Sequence, residues 1–376
     1  MDYSTSTQAV MEALDLLGCF DEIKAGMRIL IKPNVLAARQ PEDAATTHPS
    51  LVRAVCEIVR DAGAHPVVGD CAGITSAGAT AEALEKSGIK QAALDGGGEV
   101  VNFQTAGFSK VKPENPLRLD EIYVSDSVLD ADYIINLPKL KTHELTTMTG
   151  AVKNMFGAVP LRIRKEAHMM ADPLVFSEVL LDIYNVVTPQ LSIIDPVVGM
   201  EGDGPSRGKP INVGAILASK DGISLDMVAA QLMDFDPLSM PSNRVATRVY
   251  GDISPLIVGV RVDDIAVPFK KPGPSLLRML PSRVVQKAGD FFTVRPEIDA
   301  NKCTACGACV INCPAEAIHM DKGHAVIDDS ICILCYCCRE LCPAAAVKSK
   351  SHCWPGCFES EFADRAFAQP FNVGLV

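Results

Sequence analysis

The 376-residue sequence predicts an α/β fold, a largely parallel sheet with helices on both faces, followed by a small α+β module built around cysteine. Three observations carry that expectation. From residue 27 short β-branched runs alternate with helical patterns, the order that produces parallel strands joined by crossover helices. Nine of the 14 cysteines lie between Cys303 and Cys342, whereas the first 295 residues hold only Cys19, Cys56 and Cys71. A composition of 48% hydrophobic and 22% charged residues suits a chain that buries a full core, and the length suggests two domains.

Taken in order, Met27–Ile31 reads as a buried strand. Leu51, Val52, Val55, Ile58 and Val59 recur at helical spacing between Pro49 and Gly63, a start and a stop for one helix. His65–Gly69 is the next strand, and Gly78–Ser87 a helix ending at Gly88. Tyr133–Leu137 reads as a strand and Pro173–Val186 as a helix. Leu191–Ile194 and Val213–Ala218 follow as strands, and Ser224–Met233 as a helix. The α/β domain is expected to span residues 1–267, with no internal repeat. Residues 268–296 form a basic linker, with an amphipathic helix at Ser275–Ala288. Its Lys270, Lys271, Arg278, Arg283, Lys287 and Arg295 against Asp290 read as a solvated face packed on the module that follows. The cysteine-rich module is expected at 297–348, and a C-terminal tail at 349–376.

Charge and composition exclude several classes of partner. A net charge of −11 argues against a nucleic-acid backbone, and 5% aromatic residues with one Trp argue against stacking on single strands. No apolar run is long enough to cross a bilayer. Met1–Phe20 lacks the basic start and apolar block of a signal peptide, so a cytoplasmic location is expected.

The cysteines fall into two runs of one spacing. The first is Cys303-x-x-Cys306-x-x-Cys309-x-x-x-Cys313-Pro314, and the second is Cys332-x-x-Cys335-x-x-Cys338-x-x-x-Cys342-Pro343. This is the bacterial ferredoxin pattern, twice, and it predicts two 4Fe-4S clusters. Three thiolates two residues apart hold three corners of a cubane; by the fourth Cys the chain has turned away, and that residue serves the other cluster. One cluster is therefore assigned to Cys303, Cys306, Cys309 and Cys342, the other to Cys332, Cys335, Cys338 and Cys313. Zinc would instead call for two separated Cys-x-x-Cys pairs. Cys337 is left over and reads as a packing residue. Cys353 and Cys357 stand close enough for a redox pair, although two residues at that spacing more simply read as structural. A ferredoxin-type or other redox partner is implied.

Polar residues gather where strands are expected to end. Lys32 and Asn34 follow the first strand, Asp70 the second, Lys139, Lys141 and His143 the third, and Asp195 and Glu201 the fourth. Lys153, Asn154 and His168 lie in later segments able to close over the same place. In an open parallel sheet ligands bind outside the carboxyl ends of the strands, so a crevice for a small anionic substrate or cofactor is expected there. Each residue also has a plainer reading: Lys139 and Lys141 as surface charges, His143 as a helix cap, His168 as an exposed helical residue, Asp195-Pro196 as a turn. No G-x-G-x-x-G, Walker loop or serine elbow is present.

The stretches Ile31-Lys-Pro-Asn34, Thr46-Thr-His-Pro49, Asn136-Leu-Pro-Lys-Leu-Lys-Thr-His143, Thr149-Gly-Ala-Val-Lys-Asn154 and Met200-Glu-Gly-Asp-Gly-Pro205 resemble the domain of unknown function 362 over about residues 27–240. The resemblance implies an iron–sulfur protein of a kind found in anaerobes, commonly with a C-terminal ferredoxin pair. It also implies a fold distantly similar to the N-terminal part of nickel-pincer lactate racemases, whose catalytic residues find no position-by-position match here.

Three functions are therefore expected in order. The first is an oxidoreductase in which Lys139, Lys141 and Lys153 bind an anion, His143 or His168 donates a proton, and Asp195 or Glu201 acts as base or binds a metal. The second is a non-catalytic electron carrier or ligand-binding partner protein. The third is an isomerase or transferase with structural clusters.

Overall fold

Burial on both faces decides the central strands. In β1 (Arg28–Pro33), β2 (His65–Asp70) and β4 (Tyr133–Leu137) every residue after the first is buried, the pattern of a parallel sheet covered above and below. Ile29 and Ile31 point to one face and pack with Leu51, Val52 and Val55 of α2 (Pro49–Asp61) and Val10 of α1 (Ser6–Leu16). Leu30, one residue out of phase, joins Val179 and Leu180 of α6 (Pro173–Val186) on the other face. The computed structural model describes residues 2–73, 78–170, 172–272, 294–351 and 372–375.

The remaining strands are β3 (Glu99–Asn102), β5 (Lys139–His143), β6 (Thr147–Thr149), β7 (Leu191–Glu201), β8 (Lys209–Asn212), β9 (Leu217–Ser219), β10 (Leu256–Gly259) and β11 (Asn372–Leu375). They form one eleven-stranded sheet with the order β10-β11-β9-β7-β4-β1-β2-β3. The run from β7 to β3 is parallel, and β9 reverses direction against β7. Helices α3 (Ala79–Lys86), α4 (Ile89–Asp95), α5 (Leu161–Met169) and α7 (Gly222–Leu232) complete the cover. Helix starts follow ordinary capping chemistry: Asp172 accepts from the amides of Leu174 and Val175, and Asp221 from those of Ile223 and Ser224. The fold is α/β with a largely parallel sheet, as expected.

Four features differ from the sequence reading. Lys139–His143 is not an open strand end but a strand itself, parallel to β7 and antiparallel to β6. The strand expected at Leu191–Ile194 runs on to Glu201, because β5 and β8 both pair with its second half. Val213–Ala218 contracts to Leu217–Ser219. The tail expected at 349–376 returns to the large domain, where Asn372–Leu375 lies between β9 and β10. The helix expected at Ser275–Ala288, and Cys353 and Cys357, lie outside the described residues.

In the cysteine-rich module Val294–Ile298 pairs with Val347–Ser351, and Ile318–Asp321 with His324–Ile327, all antiparallel. One-turn helices Ala308–Ile311 and Cys337–Leu341 follow the two Cys-x-x-Cys loops. The same three positions of each run adopt left-handed backbone: Ala305, Gly307 and Glu316 in the first, Leu334, Tyr336 and Ala345 in the second. The two halves are thus one backbone design used twice.

Candidate functional site

The cysteines converge as the spacing implies. Cys303, Cys306, Cys309 and Cys342 line a single cavity, closed by the small residues Gly307, Ala308, Ala325 and Ala346. Cys338, from the second run, feels Cys335, Cys332 and Cys313, and Cys332 feels Cys335 and Cys313. The amides of Ala317 and Ala346 reach the sulfurs of Cys313 and Cys342 at 3.2 and 3.3 Å. Burial, and then the neighbouring sulfurs, push the Cys309 thiol up to about 11 and Cys338 well above its ordinary range. Such thiols ionise only against a strong local positive charge, which iron would provide. Thiol donors, left-handed loops and amide donors to sulfur together fit two 4Fe-4S clusters.

The second run faces the large domain. Its Arg339 pairs with Glu144 and lies 3.0 Å from Asp203, while the carboxylate of Glu340 lies 3.1 Å from Nε2 of His143. Ser206 donates to the Glu340 carbonyl at 2.7 Å, and Lys165 to the Ile311 carbonyl at 3.0 Å. The His143 tautomer follows from its neighbours. Nδ1 accepts from the amides of Leu145 and Thr146, so Nε2 carries the proton and faces the Glu340 carboxylate. Burial, and next Lys153, lower the His143 pKa to about 4. Burial works to raise Glu340, but His143, Lys153 and His168 together bring it to about 2. At neutral pH the pair is a neutral imidazole on a carboxylate.

Beside this contact lies a cavity of about 100 Å³. The large domain lines it with Asn34, Asp70, Cys71, Lys153, Arg164 and His168, and the cysteine module with Cys337 and Glu340. A single water needs roughly 10–15 Å³, so the space suits a small organic molecule rather than a dinucleotide. Arg164 reaches the sulfur of Cys71 at 2.5 Å and its carbonyl at 3.2 Å. Cys337 is hydrogen bonded to Cys335, which connects the cavity wall to the second cysteine set.

The strand-end residues separate into three places. Asn34, Asp70, Lys153, Asn154 and His168 meet at the cavity, and His143 touches it through Glu340. Lys32 and Lys141 stand behind. Lys32 is fully buried 2.7 Å from Asp70, whose other oxygen accepts from the Val35 amide. Lys141 donates to Asn34, which begins a chain of amides through Asn154 and Asn136 to Ser192. Burial, and then Lys153, hold the Lys141 ammonium well below its usual range.

Lys139, Asp195 and Glu201 are not at the cavity. Lys139 and Asp195 form a buried pair at 2.8 Å, closed by the Tyr3 hydroxyl and the His48 amide. Glu201 accepts from the Lys270 amide at 2.8 Å. With Asp70 on Lys32, the three carboxylates serve three different lysines and form no common metal site.

The packing behind the cavity tolerates no added atom at Gly157. A Cβ there would lie 2.2 Å from Asp70 Oδ1 and 2.9 Å from Lys32 Nζ. Gly157→Ala is expected to cost about 1–3 kcal/mol by overpacking, read as a lowered thermal midpoint of the cluster-loaded protein.

Sequence reasoning missed Cys71, Arg164, Glu340 and the lining role of Cys337. For Glu340 a signal existed. The first run has Val310-Ile311 between its last two cysteines, and the second has Arg339-Glu340. The apolar Ile311 is 57% exposed, whereas the charged pair is buried. That inversion marks which run buries charged side chains against the large domain.

An α/β domain whose strand-end cavity is walled in part by a two-cluster 4Fe-4S module defines an iron–sulfur electron-transfer protein. The chain belongs to the family Domain of unknown function (DUF362), which it matches over residues 29–231; residues 295–343 match the 4Fe-4S dicluster domain. It is 37% identical to a thylakoid-associated protein of Synechocystis sp., over 65% of this chain and 74% of that protein. Over 16% of this chain it is 38% identical to the pyruvate synthase subunit PorD of Pyrococcus abyssi, spanning 58% of that subunit. Among solved structures, the lactate racemase apoprotein of Thermoanaerobacterium thermosaccharolyticum aligns over 61% of this chain and 55% of its own, with 12% identity and a TM-score of 0.43.

Proposed function

We propose that the protein is a ferredoxin-linked oxidoreductase that passes electrons from its two clusters to a small anion in the cavity. The observation that carries this reading is the shared wall: Cys337, hydrogen bonded to Cys335, faces the same space as Lys153, Arg164 and His168. Cys303, Cys306, Cys309 and Cys342 hold one cluster, and Cys332, Cys335, Cys338 and Cys313 hold the other. When bound, the clusters supply single electrons. Cys306 is exposed, whereas Cys335 and Cys338 are buried, so a redox partner docks at the first cluster and electrons leave from the second. Lys153 and Arg164 bind the anion, Asn34 and Asn154 hold the wall that carries Lys153, and His168 holds or moves a proton at Nε2. Glu340 and His143 position the cysteine module over the cavity.

Among the described residues no helix is long and apolar enough to cross a membrane. A cytoplasmic site of action, with a ferredoxin-type donor, fits the unpaired state of the described cysteines. The likeness to PorD favours a second reading, an electron carrier whose acceptor is another protein.

The test is stopped-flow oxidation of the dithionite-reduced protein, without oxygen, on mixing with a panel of small carboxylates and phosphates. A member of the panel is expected to reoxidise the clusters, and Lys153→Ala to slow that step about 100-fold, the effect of losing one electrostatic donor. Reoxidation by protein acceptors alone would overturn the enzyme reading in favour of the carrier.

A further inference from the structure

The cavity wall constrains its ligand beyond charge, and this inference deepens the reading of the cavity as a binding site. His168 lies on α5 with Nδ1 2.7 Å from the Arg164 carbonyl. A carbonyl only accepts, so Nδ1 carries the ring proton and Nε2 presents a bare lone pair. The ring is wedged against Phe156 and Phe176, with centroids 5.6 and 4.9 Å away. Burial lowers the affinity of His168 for a second proton. Nε2 is buried with no hydrogen-bond partner, on a residue that is 9% exposed and lines the cavity.

The charges on the same wall set the other requirement. Three cations line the cavity: Lys165, which donates to the Ile311 carbonyl, and Lys153 and Arg164, which make no ion pair with a carboxylate among the described residues; Nε of Arg164 is also buried without a partner. Two carboxylates share the wall: Asp70, engaged by Lys32 and the Val35 amide, and Glu340, engaged by His143. They oppose a second negative charge on the ligand. A fully ionised oxyanion would also set its own lone pairs against that of Nε2, leaving a buried acceptor unsatisfied.

We propose that the cavity takes a small monoanion that also carries an O–H or N–H donor, its charge set against Lys153 and Arg164 and its donor hydrogen bonded to Nε2 of His168. The donor requirement separates this ligand class from simple carboxylates, and admits dihydrogen phosphate only as its singly charged, O–H-bearing form. It places a proton acceptor against the ligand whatever the clusters then do.

Isothermal titration of the full cluster-loaded protein under nitrogen, with acetate and glycolate as probes, tests this directly. The two anions have the same charge and differ by one hydroxyl. Glycolate is expected to bind about tenfold more tightly, the equivalent of one buried hydrogen bond. His168→Leu should abolish that preference, and Lys153→Met should weaken both. Equal affinities in the unaltered protein, no binding of either anion, or a preference that survives in His168→Leu would each overturn the proposal. Glycolate binding with no cluster reoxidation by any small anion would instead sink the redox reading and leave this one standing.

Discussion

Cys313→Ala is expected to remove the cluster of the second cysteine run while leaving that of the first. Cys313 belongs by sequence to the run that starts at Cys303, yet its neighbours in space are Cys332 and Cys338. Loss of one ligand from a four-thiolate site in a loop with no substitute donor releases the cluster. Iron should therefore fall from about eight to about four per chain, set by two four-iron centres. The EPR spectrum of the reduced protein should lose the signature of two interacting clusters and show one. Cys342→Ala should do the converse, emptying the site of Cys303, Cys306 and Cys309. Crossed ligands would tie both halves into one folding unit, so each variant should also melt earlier. Retention of about eight iron by Cys313→Ala, or loss of the first cluster in its place, would show that ligation is not crossed.

Asp195→Ala should destabilise the large domain by about 3–5 kcal/mol, the cost of leaving a buried charge without its partner. Lys139 and Asp195 are 1% and 0% exposed and 2.8 Å apart. Removal of the carboxylate strands the ammonium, the Tyr3 hydroxyl and the His48 amide at once. A double variant, Lys139→Met with Asp195→Leu, should recover most of the loss, since paired replacement of a buried ion pair by apolar residues is often near neutral. Denaturant midpoints of the three variants read the effect. If the pair served the cavity chemistry instead, Asp195→Ala would leave the midpoint unchanged and abolish anion-driven cluster reoxidation.

Much of this architecture was legible from residues alone. Periodicity located α2 and α6 because each has an apolar stripe between a proline start and a clear stop. β1, β2 and β4 announced themselves as continuous apolar runs, the mark of strands buried on both faces. β5 did not. Lys139, Lys141 and His143 alternate with Leu140 and Thr142, which reads as polar loop chemistry, but all five are buried. Their polar ends meet residues far away in sequence: Asp195, Asn34 and Glu340.

The candidate site divides along the same line. Local spacing pointed to a two-cluster module, since a cubane demands thiolates at short fixed intervals. It also named five of the residues that wall the cavity. It placed Asp195 and Glu201 with them only because strand ends converge in general; the extra length of β7 carries Glu201 away to Lys270. The sequence by itself determined the fold class, the two-cluster module and the supply of basic residues at the strand ends, because periodicity and ligand spacing are short-range properties. Only the tertiary structure decided which lysines are spent on buried carboxylates, which cysteine run buries charged side chains against the large domain, and that His168 faces the cavity with a bare nitrogen. Those outcomes depend on partners brought together by packing across the whole chain.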